Sequence, residues 1–158
     1  MQQRFGSLDA VLPAGFARRL GAMIYDSFLV AAIWLLVTAL HLMVARYLLG
    51  IPAEQVGSSP LWALSLQILL LGSAFAFFTF CWVRGGTTLG MQAWRLRVQT
   101  LDGRSITPAQ SLLRCVMAIV SIAVLGLGYL WILFDAERRS WGDIVSGTRV
   151  VVVPKSAK

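Results

Sequence analysis

The sequence predicts an all-α integral membrane protein with a small cytoplasmic β-hairpin or sheet. Three observations point there. Hydrophobic residues make up 58% of the 158 residues and charged ones only 13%, about half the charged share of soluble domains. Three stretches, 27–45, 55–83 and 115–134, hold no Asp, Glu, Lys or Arg, and each approaches the ~20 residues that cross a bilayer as a helix. Between the second and third lies a polar connection that alternates like a strand on either side of Asp102-Gly103.

Residues 1–15 are polar and punctuated by Gly and Pro, and they read as a loose or interfacial tail. A first helix is expected from about Phe16 to about Tyr47. Its early turns, FARRLGAM, are amphipathic, and the rest is apolar apart from Thr38 and His41. The run is too long for a signal-peptide core and carries Asp26, so it reads as a retained helix rather than a cleaved leader. After a loop broken by Gly50, Pro52, Gly57 and Pro60, a second helix is expected over Leu61–Val83, about 35 Å long. Trp62 and Trp82 stand at its ends, where an aromatic belt would place them.

In the connection over 84–107, RLRVQT and RSIT flank Asp102-Gly103, a pair suited to a tight hairpin turn. Pro108 then opens a helical segment, 108–135, with Thr107 as candidate N-cap. TRVVVVP, with its strand at 148–153, would pair most simply with RLRVQ; residues 154–158 form a tail.

The third apolar stretch decides the topology. If 115–134 crosses the bilayer fully, the terminal strand and RLRVQ end on opposite sides, and Lys and Arg divide 8 to 6 between the faces. If it turns back at Gly126 and Gly128, they divide 13 to 1. The positive-inside rule favours the re-entrant form over a full span. The N-terminus, the hairpin and the terminal strand would then be cytoplasmic.

The net charge of +7 comes from twelve Arg and two Lys against seven acids. It fits basic loops that orient a membrane protein; with no basic stretch interleaved with aromatics, nucleic acid is not an expected partner. Cys81 and Cys115 lack metal-ligand spacing and read as apolar filler. A single histidine, and no nucleophile–base pair or metal cluster, argue against an enzyme and imply no cofactor. His41 itself, about 22 Å along the helix from Asp26, reads as an interfacial residue.

One acid sits in an unusual place. Asp26 lies in RRLGAMIYDSFLVAAIWLL, at the start of an apolar helix. An aspartate at mid-bilayer costs roughly 2.5–3.5 kcal/mol on insertion scales, and a shallower one still needs a partner. Arg19, seven residues earlier, projects from the same face, about 20° short of two turns. About 10.5 Å of axial rise separates them, too much for an easy direct pair. A network of Asp26, Arg19, Arg114 and Asp143 at the cytoplasmic rim would satisfy all four groups. Asp26 could bind a cation or carry a proton with the arginines tuning it, or the network could be a clamp between helices.

These residues resemble the RDD family of small bacterial membrane proteins, named for one arginine and two aspartates. The opening pattern stands here as RRLGAMIYD, the polar connection as GGTTLGMQAWRLRVQTLDG followed by SLLR, and the close as FDAERRSWGDIVSGTRVVV. The resemblance implies that the arginine is Arg19, the first aspartate Asp26 and the second Asp143, with Asp135 as second choice. Met91 and Gly142 depart from it, at positions where the family often carries a basic residue and a histidine.

The resemblance also implies transport, with cations against protons as one form. Two full spans enclose too little protein for a pathway, so a homo-oligomer in the lipid bilayer is expected. The alternative is a membrane scaffold or accessory subunit whose charged network is structural and whose cytoplasmic hairpin docks a protein partner. Gly86 and Gly90 form a GxxxG outside any span, a poor dimerisation motif there, and GGTTLG lacks the Gly-Lys-Ser/Thr ending of a phosphate loop.

Overall fold

A computed structural model describes Phe5 and residues 11–154. The chain divides into two compact units, Met1–Asp26 with Phe78–Lys158, and Ser27–Phe77.

Two long helices run through the chain. The first, α1, spans Phe16–Met43 and continues as a π-helical turn over Val44–Leu48. After a short helix, α2 (Ala53–Ser58), comes α3 (Pro60–Gly85). Phe16–Leu48 and Pro60–Gly85 are both long and apolar enough to cross a membrane, and almost none of their most apolar stretch is covered by protein. A helix apolar all round must be buried in protein or in lipid. Within the unit Ser27–Phe77, Trp34 donates its indole N–H to the Leu70 carbonyl at 2.9 Å.

The third apolar stretch is a bent pair. Helix α5 (Pro108–Ala123) is followed by α6 (Leu127–Leu130) and a 3-10 turn at Trp131–Leu133. The second arm is bent by 109° from the first, so this stretch is not one straight helix. The hinge lies at Leu125 and Gly126, both with left-handed backbone (φ 56° and 81°), so it includes the first of the two expected glycines. Gly128 serves differently: a Cβ there would stand 2.8 Å from the Ser121 hydroxyl, so its bareness lets α6 fold back against α5.

Thr107 caps α5 as its position suggested. Its hydroxyl accepts from Gln110 N–H at 3.2 Å while the Gln110 side chain accepts from Thr107 N–H at 2.9 Å. This reciprocal box satisfies two otherwise unpaired donors, so Thr107→Ala is expected to lower stability by about 1 kcal/mol, read from thermal melting in detergent.

The sheet has three strands in the order β1–β3–β2, all antiparallel. β2 (Leu96–Thr100) pairs with β3 (Thr148–Val152) from Leu96 opposite Val152 to Thr100 opposite Thr148, the pairing read from RLRVQ and TRVVVV. Two details differ from expectation. Residues 12 and 13 are not loose tail but an edge strand, β1 (Leu12–Pro13), on the far side of β3. Ala14 N–H then donates to the Val150 carbonyl at 2.9 Å and Ala14 is fully buried. Pro13 is tolerated because an edge strand need not donate on both sides, and two residues are too few to show alternation.

The second difference is the hairpin. The chain does turn at Asp102-Gly103, with Gly103 at φ 76° and its N–H on the Thr100 carbonyl. The returning arm holds only one bridge, at Arg104. RSIT cannot run on as a strand because Thr107 has to cap α5. The core of this unit joins Ala14, Ala22, Met91, Leu96, Val98, Ile106 and Val150. Met91, from the short helix α4 (Leu89–Ala93), is therefore core filling.

Candidate functional site

The buried charges gather in two places within the unit formed by Met1–Asp26 and Phe78–Lys158. The first is Asp143, on α7 (Trp141–Ser146). Ser140 and Asp143 form a capping box that fixes the carboxylate: Asp143 Oδ2 accepts from Ser140 N–H at 3.0 Å, and Ser140 Oγ accepts from Asp143 N–H at 3.2 Å. Two guanidinium groups complete it. Arg19 Nη1 donates to Oδ2, and Arg114 Nη1 donates to Oδ1 at 2.6 Å.

Both arginines are held from behind. Arg19 donates through Nε to the Ala14 carbonyl at 3.0 Å and through Nη2 to the Arg138 carbonyl at 2.7 Å. Arg114 Nη1 also reaches Thr148 Oγ1 at 2.5 Å, and its guanidinium lies over the Trp82 ring at 5.1 Å. The carboxylate is fully buried. Burial alone would push its proton affinity up, but Arg114 and Arg19 outweigh that and hold it below the ordinary carboxylate range.

The second place is Asp26, which is 5% exposed. The expected four-residue network does not form: Arg19, Arg114 and Asp143 come together, and Asp26 stands apart from them. No ion pair reaches Asp26 among the described residues. Instead its Oδ2 accepts from the Thr88 hydroxyl at 2.5 Å and its Oδ1 from Gly90 N–H at 2.9 Å. Thr88 also caps α4, accepting from Met91 N–H at 3.1 Å. The physical reason is reach. Asp26 lies about 10.5 Å along α1 from Arg19, while GGTTLG passes close by with donors at hydrogen-bonding distance.

Asp135 belongs to neither place. It accepts from Arg139 N–H at 2.9 Å and from Arg139 Nε at 3.1 Å, which hold its carboxyl below the usual range. Of the two choices for the second aspartate, Asp143 is the one that meets Arg19.

Sequence reasoning missed Thr88, Gly90, Ser140 and Thr148. The Ser140-x-x-Asp143 spacing is a capping-box signal that could have placed Ser140. Gly90 had no such signal. Its role is spatial, since a Cβ there would strike the Ala22 carbonyl and stand 2.8 Å from Asp26 Oδ1.

The arrangement has a clear chemical division. Asp143 cannot take a proton without stranding two buried arginines. Asp26, held by uncharged donors, can take one without breaking an ion pair. Two helices of membrane-crossing length, a bent apolar pair and these buried carboxylates define a protein of membrane type. The chain belongs to the RDD family, whose model matches residues 13–147. Comparison with curated proteins and with solved structures gave no match.

Proposed function

We propose that this RDD-family chain is a multi-pass protein of the bacterial inner membrane that moves a solute, with Asp26 exchanging a cation or proton. The observation that carries this reading is a buried carboxylate in a helix of membrane-crossing length, held by uncharged donors alone. Intramembrane acids are costly and mark ion or proton paths. In this reading Arg19, Asp143 and Arg114 form a clamp that positions α1, and the path is completed by a homo-oligomer. The sheet and both termini lie on the cytoplasmic side, as the division of Lys and Arg favours, and the bent pair α5–α6 re-enters rather than crosses. No enzymatic step or cofactor is part of the proposal.

The test is ion-dependent proton movement in everted vesicles, followed by a pH-sensitive dye, with sodium, potassium and lithium in turn. Wild type should give a cation-dependent signal that an inserted, well-expressed Asp26→Asn variant loses. Equal signals from the two would sink the role of Asp26.

A second reading, a scaffold or accessory subunit, is favoured by the ion cluster of Asp143, which ties Arg19, Arg114 and the Ser140 turn together. It predicts that Asp26→Asn and Arg19→Ala lower the melting temperature and that a protein partner copurifies through the hairpin and sheet, with no flux to lose.

A further inference from the structure

We propose that two copies of this chain pair side by side through α3, each satisfying the Gln67 carboxamide of the other across a two-fold axis along the membrane normal. The proposal rests on the membrane placement above and gives the homo-oligomer its contact; it does not depend on transport. Its starting point is one polar group. Gln67 lies in a helix long and apolar enough to cross a membrane, none of whose most apolar stretch is buried. Its side chain is exposed and makes no hydrogen bond among the described residues.

The serines and the threonine of α3 show the contrast. The Ser65 hydroxyl donates to the Trp62 carbonyl at 2.9 Å and meets His41 Nε2 at 2.9 Å. The Ser73 hydroxyl donates to the Leu70 carbonyl at 2.8 Å, and the Thr79 and Ser111 hydroxyls share a hydrogen bond at 2.8 Å. Each is answered within the chain. Gln67 is not, and its direction explains why. Two residues on a helix turn 200°, so Gln67 projects about 160° away from Ser65, the side chain through which α3 meets His41 of α1. Trp62 stands near the helix start, and Gln67 is five residues further in, about 7.5 Å along the axis. A carboxamide that faces hydrocarbon without a partner is costly, and within membranes such groups join helices.

The chemistry of the amide sets the partner. Its nitrogen donates and its oxygen accepts, so the partner must offer an acceptor and a donor at the same depth in the bilayer. Lipid tails offer neither. A second copy offers both, because copies inserted with one orientation carry Gln67 at one depth. A two-fold axis then sets Nε2 of each against Oε1 of the other, a self-complementary contact with two hydrogen bonds. The flanks allow the approach. Ala63 and Ala74, four residues before and seven after, fall within about 40° of Gln67 on the helix surface, and small side chains let backbones come close. Leu64 and Leu71, both more than half exposed, complete the face.

The experiment is energy transfer between donor- and acceptor-labelled copies in phospholipid vesicles, diluted stepwise with lipid. Wild type should titrate as a dimer. Gln67→Leu makes α3 more apolar, so the variant still inserts, and its dissociation constant should rise about five- to ten-fold, the worth of two hydrogen bonds between membrane helices. Disulfide trapping reads the face independently, with Cys81 and Cys115 replaced by alanine and Gln67 kept. Leu71→Cys, 40° from Gln67, should cross-link between copies, and Gly72→Cys, 140° away, should not. A monomeric wild type would overturn the proposal. So would equal dissociation constants for wild type and Gln67→Leu, since the amide would then be satisfied at the headgroups, or cross-linking at Gly72→Cys as fast as at Leu71→Cys. Recovery of the chain outside the membrane fraction would overturn the membrane placement and this pairing with it, whereas a monomer found in the membrane would overturn the pairing alone.

Discussion

Replacing Asp143 by asparagine is expected to destabilise the protein by about 3–5 kcal/mol, because it leaves two buried guanidinium groups facing a neutral amide. Arg19 and Arg114 have side chains only 7% and 10% exposed, so water cannot replace the carboxylate. Arg19 is further fixed by the Ala14 and Arg138 carbonyls, which prevents it from swinging out to solvent. The wild-type protein should show an acid limb of its own. The folded carboxyl binds its proton less tightly than an unfolded aspartate, near pH 3.9. Its contribution is therefore fully present above that value and is lost as pH falls from there through the lower folded value. In the variant this limb should vanish. Replacing Arg19, Arg114 and Asp143 together by apolar residues of similar volume should recover much of the loss, since a buried ion cluster is weak in net terms when removed whole. Thermal melting in detergent from pH 7 to pH 3 reads all three; an Asp143→Asn protein as stable as wild type would show that the cluster holds nothing.

How much of this was visible in the sequence follows the range of the interactions. The two long helices and the broken third stretch are legible because hydropathy, Gly126 and Gly128 are local signals. The β2–β3 pairing is legible because RLRVQ and TRVVVV are β-branched or alternating runs. β1 was hidden because two residues carry no period. The charge network was half legible. Spacing showed that Arg19 and Asp26 share a face and that the helix alone cannot join them. Which partner each takes depends on how the connection 86–93 folds back on α1, and no local pattern encodes that. Gly86 at φ 68° and Gly90 at close contact turn what reads as a flexible run into a specific surface for Asp26.

The same geometry explains why the two carboxylates separate. A charge in an apolar helix needs donors, and the nearest supply wins over the strongest. Arginine offers more per bond, but reaching Asp26 from the Asp143 cluster would strip that cluster of a cation it cannot spare. A threonine hydroxyl and one backbone N–H satisfy both oxygens of Asp26 without importing a charge.

Gly90→Ala puts that contact to the test with one methyl group. The added Cβ would meet the Ala22 carbonyl, part of the α1 backbone, at a distance no side-chain rotation relieves, and would stand 2.8 Å from Asp26 Oδ1. Overpacking of this kind costs about 1–3 kcal/mol, against a gain of roughly 0.5–1 kcal/mol from replacing glycine in a helix. Gly72→Ala is the matched control: Gly72 lies inside α3 with nothing within 4 Å of its would-be Cβ, so only the gain remains and the sign should reverse. Combining Gly90→Ala with Asp26→Ala removes one of the two clashes, so the pair should be less destabilising than the sum of the singles. Additive losses would mean that α4 does not rest on Asp26, and the carboxylate would then lack the donors that keep it uncharged-paired in the fold. A Gly90→Ala protein that melts with wild type would carry the same consequence, because the close approach of α4 to α1 is what delivers Gly90 N–H to Asp26.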